Sequence, residues 1–219
     1  MKIYKIIMLN VFLLLTLVFQ YYVSSDNLAL IGKTIVIDPG HGGKDPGTLS
    51  GNAYEKDLNL EISLKLEEEL VKEGARVILT RTGDYDLSSP NATLRKRSDF
   101  DNRISLINNS NAYIYLSIHL NYLSDSRYYG PQIFYNNTLS INKDIANILQ
   151  DTMNKDLKSN REVKLMKSGM YYMYNKLKVP GVLVECGFLS NRNERNKLLT
   201  DKYQNKLVKS IKNAIINIE

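Results

Sequence analysis

Short apolar runs recur along the chain from residue 34 onward, and each is bounded by glycine, proline or a polar turn. The first run, residues 34–37, is followed by an Asp-Pro-Gly turn, because proline cannot donate a ladder hydrogen bond and glycine permits a sharp bend. Residues 112–118 are the most strand-like stretch, with β-branched and aromatic residues throughout. The pattern predicts strands at residues 34–37, 75–79, 112–118, 132–135 and 182–188, with a further candidate at 170–174.

Longer segments between these runs repeat apolar residues every third or fourth position, as an amphipathic helix requires. Residues 55–73 also alternate in part, but their length and three consecutive glutamates favour helix, and Gly74 follows as a C-terminal cap. Ser140 is a candidate N-cap, and Asn191 with Glu194 begins a short helix. The predicted long helices are residues 55–73, 94–108, 141–155 and 202–218.

This alternation of strands and helices predicts an α/β fold. We expect a single three-layer domain with a mostly parallel, twisted sheet flanked by helices. The apolar content of 43% is too high for a disordered chain, and residues 27–219 are long enough to bury a sizeable core.

The first 26 residues have a different pattern from the rest. Lys2 and Lys5 give a positive start, and residues 6–23 are mostly apolar before the polar stretch 24–27. Such a segment is typical of a signal peptide or an uncleaved membrane anchor, and we favour the anchor because the apolar stretch is long for a signal core. A buried N-terminal helix is disfavoured, because the segment shows no amphipathic pattern.

Charge and cysteine content narrow the class of protein. The net charge is +6, but the basic residues are scattered and no basic block alternates with aromatics, so we expect no nucleic-acid partner. A basic exported chain suits an anionic wall or membrane surface. Cys186 is the single cysteine, which excludes an intrachain disulfide. Strand alternation turns it away from Glu185, and we expect it to pack in the core.

Three predicted strands end in a residue that can do chemistry: His41, His119 and Glu185. Ligands of open α/β sheets bind beyond the carboxyl ends of the strands, so neighbouring parallel strands would bring these side chains to one edge. Each has an ordinary alternative, since a histidine at a strand end can be structural and Glu185 can be exposed or paired with an arginine. The chain has two histidines, and their shared position favours a metal site.

Two histidines and one carboxylate, with a fourth position left open, make a catalytic zinc site. A second carboxylate beside the ion can act as the general base. Glu55 and Glu185 are the two candidates for these two roles, although Glu55 also suits a helix N-terminus for the dipole alone. The residues are too far apart in sequence for a local signature, so spacing leaves the two roles unassigned.

Distinctive motifs follow one another along the chain. They are residues 37–43 with 45–47, 55–60, 80–81, 117–121 and 180–191, together with Leu94, Arg97 and Asn102. From residue 33 to the C-terminus, this order of motifs resembles the zinc-dependent N-acetylmuramoyl-L-alanine amidases of the Amidase_3 type. Cys186, where that family commonly has threonine, and Asp101, where alanine is usual, are small departures.

The resemblance assigns the roles that spacing leaves unassigned. It implies that His41, Glu55 and His119 bind one Zn²⁺ per chain and that Glu185 is the catalytic carboxylate. Residues 27–219 would form the catalytic domain. The implied reaction is hydrolysis of peptidoglycan at the amide between the lactyl group of N-acetylmuramic acid and L-alanine of the stem peptide. We expect Asn121 and Arg81 to support the ligands or to contact substrate. The ordinary alternative for Arg81 is a solvated charge at a strand end.

A compact domain behind an apolar N-terminus resembles the spore-cortex, germination-related subgroup, in which the amidase step precedes formation of muramic-δ-lactam. The implied location is the extracytoplasmic face of the membrane, or the spore cortex and intermembrane space, with membrane contact through residues 1–26. Three alternatives remain: a wall zinc peptidase that cuts within the stem peptide, an amidase that depends on an activating protein partner, and a non-catalytic wall-binding domain. The presence of all four candidate site residues disfavours the last.

Overall fold

A six-stranded sheet forms the centre of the computed structural model, which describes residues 2–25, 28–167 and 171–218. The strands in chain order are β1 (Thr34–Pro39), β2 (Leu49–Ser50), β3 (Ala53–Tyr54), β4 (Arg76–Leu79), β5 (Ile114–Asn121), β6 (Gln132–Tyr135), β7 (Lys164–Leu165) and β8 (Gly181–Phe188). The sheet has the order β4-β1-β5-β8-β6-β7, while β2 and β3 pair as a separate hairpin. All neighbours in the sheet are parallel except β6 and β8, so the predicted mostly parallel α/β sheet is confirmed.

Helices of the domain flank this sheet on both faces. They are α2 (Glu55–Lys72), α3 (Arg95–Asn108), α4 (Ile141–Leu157), α5 (Arg192–Leu198) and α6 (Asp201–Ile216), and they are preceded in the chain by α1 (Lys2–Ser25), whose described side chains are mostly exposed. Over the ranges that the structure describes, no helix combines the length and the apolar character that a membrane crossing requires.

Alternating side chains of the strands divide the core into two layers. Ile35 and Ile37 of β1 face the larger cluster, which also contains the buried faces of α2, α4 and α6. Val36 points to the opposite face and packs with Ile107 of α3 and with Tyr174. The carboxyl ends of the three central parallel strands, β1, β5 and β8, therefore lie side by side between two packed layers, where they can hold functional side chains rigidly.

Several local predictions are wrong, and each has a physical reason. β1 runs two residues further than predicted and ends at Pro39. At the end of a strand, the amide donor that proline lacks is not needed to continue the ladder. Ser140 already has helical dihedral angles, φ −59° and ψ −38°, and does not act as an N-cap. Residues 171–173 form no strand and lead through a turn into a 3₁₀ helix, Tyr174–Lys176, while position 170 lies outside the described residues.

Polar connections also hold short strands that periodicity missed. Residues 49–54, which lie outside the predicted strands and helices, fold as the β2–β3 hairpin around Gly51, which has φ +63°, and β7 also lies outside the predicted elements. Two residues per strand are too few to show an alternating pattern. In contrast, the predicted cap of the short helix is confirmed, since the Asn191 side chain accepts a hydrogen bond from the Glu194 amide.

Candidate metal centre

Three candidate ligands lie together at the carboxyl-end edge of the sheet. His41 follows β1 in a glycine-rich loop, Glu55 is the first residue of α2, and His119 lies near the end of β5. Glu55 Oε1 lies 3.1 Å from His41 Nε2 and 3.1 Å from His119 Nδ1. One ligand atom from each residue lies within 4.8 Å of the other two. Three distant parts of the chain thus present their donor atoms to one point.

This donor set fits a divalent metal ion. Tetrahedral zinc with bonds of about 2.0–2.2 Å places neighbouring ligand atoms about 3.4 Å apart, close to the observed 3.1 Å separations. All three residues line a cavity of about 550 Å³. Three protein donors at the wall of a cavity leave a coordination position for water or substrate, as in a catalytic rather than a structural site.

Two glycines make room for the three ligands. A Cβ atom on Gly40 would lie 2.2 Å from Cε1 and Nε2 of the His119 ring. A Cβ atom on Gly47, which has φ +64°, would lie 2.7 Å from both Glu55 Oε2 and His41 Cδ2. The glycines of the loop therefore permit a close approach that no other residue allows.

The electrostatics of the cluster favour a bound cation. Burial alone would raise the pKa of the Glu55 carboxyl, but the His119 and His41 imidazoles hold it well below its usual range. Burial would likewise lower the pKa of His41, yet the Asp45 and Glu55 carboxylates raise it to about 9. His41 Nδ1 lies 3.0 Å from Asp45 Oδ2, and a carboxylate at that nitrogen favours the tautomer whose Nε2 is free to coordinate.

Hydrogen bonds also hold the Glu55 carboxylate in place. Oε2 accepts from the Thr48 amide at 2.8 Å, and Oε1 accepts from the Leu120 amide at 3.2 Å. The side chain is 4% exposed, so the amides compensate for the loss of solvent around a buried charge. Glu55 is fixed to both the glycine-rich loop and β5.

Glu185 lies on the neighbouring strand, where its register partner is His119. It lines the same cavity, and its Oε2 has no hydrogen-bond partner among the described residues. Burial, assisted by the charge of Glu55 and opposed by that of His41, raises the pKa of Glu185 to about 8. This Oε2 atom, which the described residues leave unpaired, is available to exchange a proton with a molecule in the cavity.

The two other predicted residues differ in their placement. Asn121 lines the cavity at the end of β5, where the pairing with β8 is irregular. Arg81 is 1% exposed, and its guanidinium donates to the carbonyls of Pro39, Gly40 and Lys56. It is therefore not a solvated charge at a strand end. Cys186 is fully buried in the larger core cluster, as predicted.

Sequence reasoning missed the buried ion pairs behind the site. Asp38 accepts from Arg103 at 2.7 Å, and Arg103 also contacts Asp99 at 3.0 Å. Asp99 and Arg103 occupy the buried face of α3 with Ile107. Asp99, Arg103 and Ile107 are spaced four residues apart, and helix positions i, i+4 and i+8 share one face. This spacing was the signal in the sequence that the two charged residues share a face with an apolar residue.

Comparisons with known proteins identify the family of this chain. A family model described as N-acetylmuramoyl-L-alanine amidase, Amidase_3, matches residues 35–217. The germination-specific N-acetylmuramoyl-L-alanine amidase of Bacillus subtilis strain 168 is 39% identical in an alignment of 215 positions that covers 94% of this chain and 90% of that protein.

Two solved structures extend the comparison to the fold. The CwlD amidase from Clostridioides difficile, solved in complex with the GerS lipoprotein, has a TM-score of 0.78 and 40% identity and covers 84% of this chain and 96% of that one. An N-acetylmuramoyl-L-alanine amidase from Clostridium difficile 630 has a TM-score of 0.74 and 34% identity, with 84% and 94% covered. The chain therefore belongs to the N-acetylmuramoyl-L-alanine amidase family of the Amidase_3 type, a family of hydrolases.

Proposed function

We propose that this chain hydrolyses the amide between the lactyl group of N-acetylmuramic acid and L-alanine of the stem peptide, with one zinc ion held by His41, Glu55 and His119. The observation that supports it best is the convergence of these three donors beside Glu185, whose Oε2 has no hydrogen-bond partner in the described part of the chain. When bound, zinc would polarise a carbonyl and acidify a water molecule.

The chain's own residues account for the proton transfers in this proposal. Glu185 takes a proton from the attacking water and delivers it to the leaving nitrogen of L-alanine, so that a free amine departs and a lactyl carboxylate remains. The hydrogen bonds on Glu55 keep that carboxylate fixed while the reaction proceeds. Asn121, on the cavity wall, is placed to contact substrate.

Mass analysis of digested sacculi tests the reaction directly. The amidase must release an intact stem peptide with a free L-alanine amine and leave an unsubstituted lactyl carboxylate on the glycan. A zinc peptidase with the same metal centre would instead leave L-alanine attached to the glycan. Shortened stems on intact muramoyl amides would therefore refute the amidase and establish the peptidase.

We further propose that the substrate is spore cortex and that the reaction precedes muramic-δ-lactam formation. The support is the likeness to the germination-specific amidase of Bacillus subtilis. Residues 1–26 would act as a signal peptide or anchor that exports residues 27–219 to the extracytoplasmic side. Cortex from cells that lack the protein should then contain no muramic-δ-lactam, whereas an unchanged lactam content would refute this role.

An activating protein partner is a second element of the proposal. The Clostridioides difficile CwlD amidase was solved with the GerS lipoprotein, which supports an extracytoplasmic partner for this chain. If activation is required, the isolated chain should digest purified cortex slowly, and addition of the partner should raise the rate. Full activity of the isolated chain would exclude this requirement.

A further inference from the structure

Two arginines lie buried behind the candidate metal centre. Arg81 follows β4 and is 1% exposed, while Arg103 belongs to α3 and is 2% exposed. Burial of a guanidinium is unfavourable unless its donors are satisfied, so the groups that accept from these two side chains show what the arginines stabilise.

Both guanidiniums donate to consecutive carbonyls of the loop that carries His41. The Pro39 carbonyl accepts from Arg81 Nε and from Arg103 Nη1, each at 2.9 Å. The Gly40 carbonyl accepts from Arg81 Nη2 at 2.9 Å, and the His41 carbonyl accepts from Arg103 Nη2 at 2.7 Å. Three successive peptide groups thus have their carbonyls directed toward buried cations.

The same loop contains an unfavourable backbone conformation. His41 has φ +63°, which lies in the left-handed region that a residue with a Cβ adopts rarely and at some cost in free energy. Hydrogen bonds from the Arg103 guanidinium to the carbonyls of His41 and Pro39 offset that cost. The direction of the His41 imidazole therefore depends on where Arg103 holds the main chain.

Neighbouring groups fix the two guanidiniums in turn. Arg103 Nη1 donates to Asp38 Oδ1 at 2.7 Å, and Nε donates to Asp99 at 3.0 Å. Arg81 Nη2 donates to the Lys56 carbonyl at 2.7 Å as well as to the loop. Since Lys56 follows Glu55, Arg81 connects the turn that carries one candidate ligand with the helix start that carries another.

We propose that Arg103 and Arg81 are positioning residues that hold the His41 main chain, and through it the His41 imidazole, in the geometry required for metal binding. The inference rests on the metal site of the proposed function but not on its substrate. It predicts that metal affinity depends on the planar, forked shape of the guanidinium, because an ammonium has the same charge but cannot reach the two carbonyls and two carboxylates that Arg103 contacts.

Arg103→Lys in the full chain tests the proposal, with Co²⁺ as the probe. Visible absorption of bound Co²⁺ reports both the dissociation constant and the coordination geometry, without any substrate. Arg95→Lys is the matched control, because Arg95 lies on the same helix and pairs with Asp86 but makes none of the contacts to the loop. Circular dichroism and thermal melting verify that each variant is folded.

We expect Arg103→Lys to weaken Co²⁺ binding by about 10- to 100-fold and to change the absorption spectrum, as is typical for residues that orient metal ligands. Arg95→Lys should remain within about twofold of the wild type, as is usual for surface changes. Wild-type affinity together with a wild-type spectrum in folded Arg103→Lys would overturn the inference. A wild-type chain that binds no Co²⁺ would overturn the metal site and the inference together, whereas a failed amidase assay would affect the proposed reaction alone.

A milder variant covers the case in which Arg103→Lys does not fold. Asp99→Asn leaves both donors to the loop in place and removes the carboxylate that holds Nε. We expect a loss of Co²⁺ affinity of about three- to tenfold, at the lower end of effects on supporting residues. Unchanged affinity in this variant would also count against a positioning role.

Discussion

Gly40→Ala introduces one methyl group at the most crowded point of the metal centre. The new Cβ would lie 2.2 Å from Cε1 and Nε2 of His119, whereas carbon atoms in contact are normally about 3.5–4.0 Å apart. Gly40 is not among the glycines with positive φ, so the backbone itself accepts alanine. The clash with the imidazole is therefore the whole perturbation.

Relief of this clash requires the loop and the imidazole to separate by more than 1 Å. A displacement of that size in a catalytic geometry costs about 10²-fold in rate, which corresponds to about 2.7 kcal/mol of transition-state stabilisation. Because His119 is also a candidate ligand, we expect Co²⁺ affinity to fall together with kcat/KM.

Initial rates of stem-peptide release from purified sacculi, followed by mass spectrometry, measure the effect. Gly83→Ala is the matched control, since its Cβ would meet the exposed Tyr85 ring at 3.2 Å, where the side chain can move aside. A folded Gly40→Ala enzyme with wild-type kcat/KM and wild-type Co²⁺ affinity would refute the packing argument.

The remaining predictions concern the base, the buried ion pair and a helix cap. Glu185→Gln should keep wild-type Co²⁺ affinity and lose about 10²- to 10⁴-fold in kcat; a wild-type rate would show that another group is the base. Asp38→Asn should lower the free energy of unfolding in urea by about 3–5 kcal/mol at pH 7, because it removes one of the two carboxylates that compensate the buried Arg103 cation. Burial would raise the pKa of Asp38, but Arg103 and three hydrogen bonds hold it below its usual range. The stability that ionised Asp38 contributes is therefore fully present above its unfolded-state pKa and is lost as the pH falls through its folded-state pKa. The difference in unfolding free energy between wild type and Asp38→Asn should then narrow below about pH 4. A difference that stays constant with pH would contradict this assignment. Asn191→Ala should destabilise the chain by about 1 kcal/mol in the same urea assay through loss of the cap, and no change would show that the cap is dispensable.

The sequence contained enough information to predict where the site lies. Apolar runs that end in His41, His119 and Glu185 could be read from periodicity, and the rule that ligands bind at strand carboxyl ends then placed these residues at one edge. The roles of Glu55 and Glu185 needed family resemblance, because both are carboxylates far from either histidine in sequence. Their metal-ligand and base roles remain predictions that the Co²⁺ and Glu185→Gln experiments test.

The supporting structure was much harder to predict. Arg103 acts on carbonyls more than 60 positions away, and no local pattern reports such a contact. Residues 171–174 have a strand-like composition, but Tyr174 begins a 3₁₀ helix and is buried against Ser117 on one face of the sheet, so tertiary packing overrides local propensity. Periodicity was sufficient to predict the long helices and the central strands, whereas contacts that depend on long-range hydrogen bonds could not be predicted from it.

The burial of Cys186 gives this chain a built-in probe of unfolding. A lone thiol inside the core reacts with an alkylating reagent only after the surrounding sheet has opened, so the labelling rate reports the free energy of opening. No engineered cysteine is needed, and no second thiol competes. The candidate metal centre beside β8 forms only while the sheet is closed, so a bound ion stabilises the closed state. Zn²⁺ at 100 times its dissociation constant should therefore slow the labelling of Cys186 by about 100-fold.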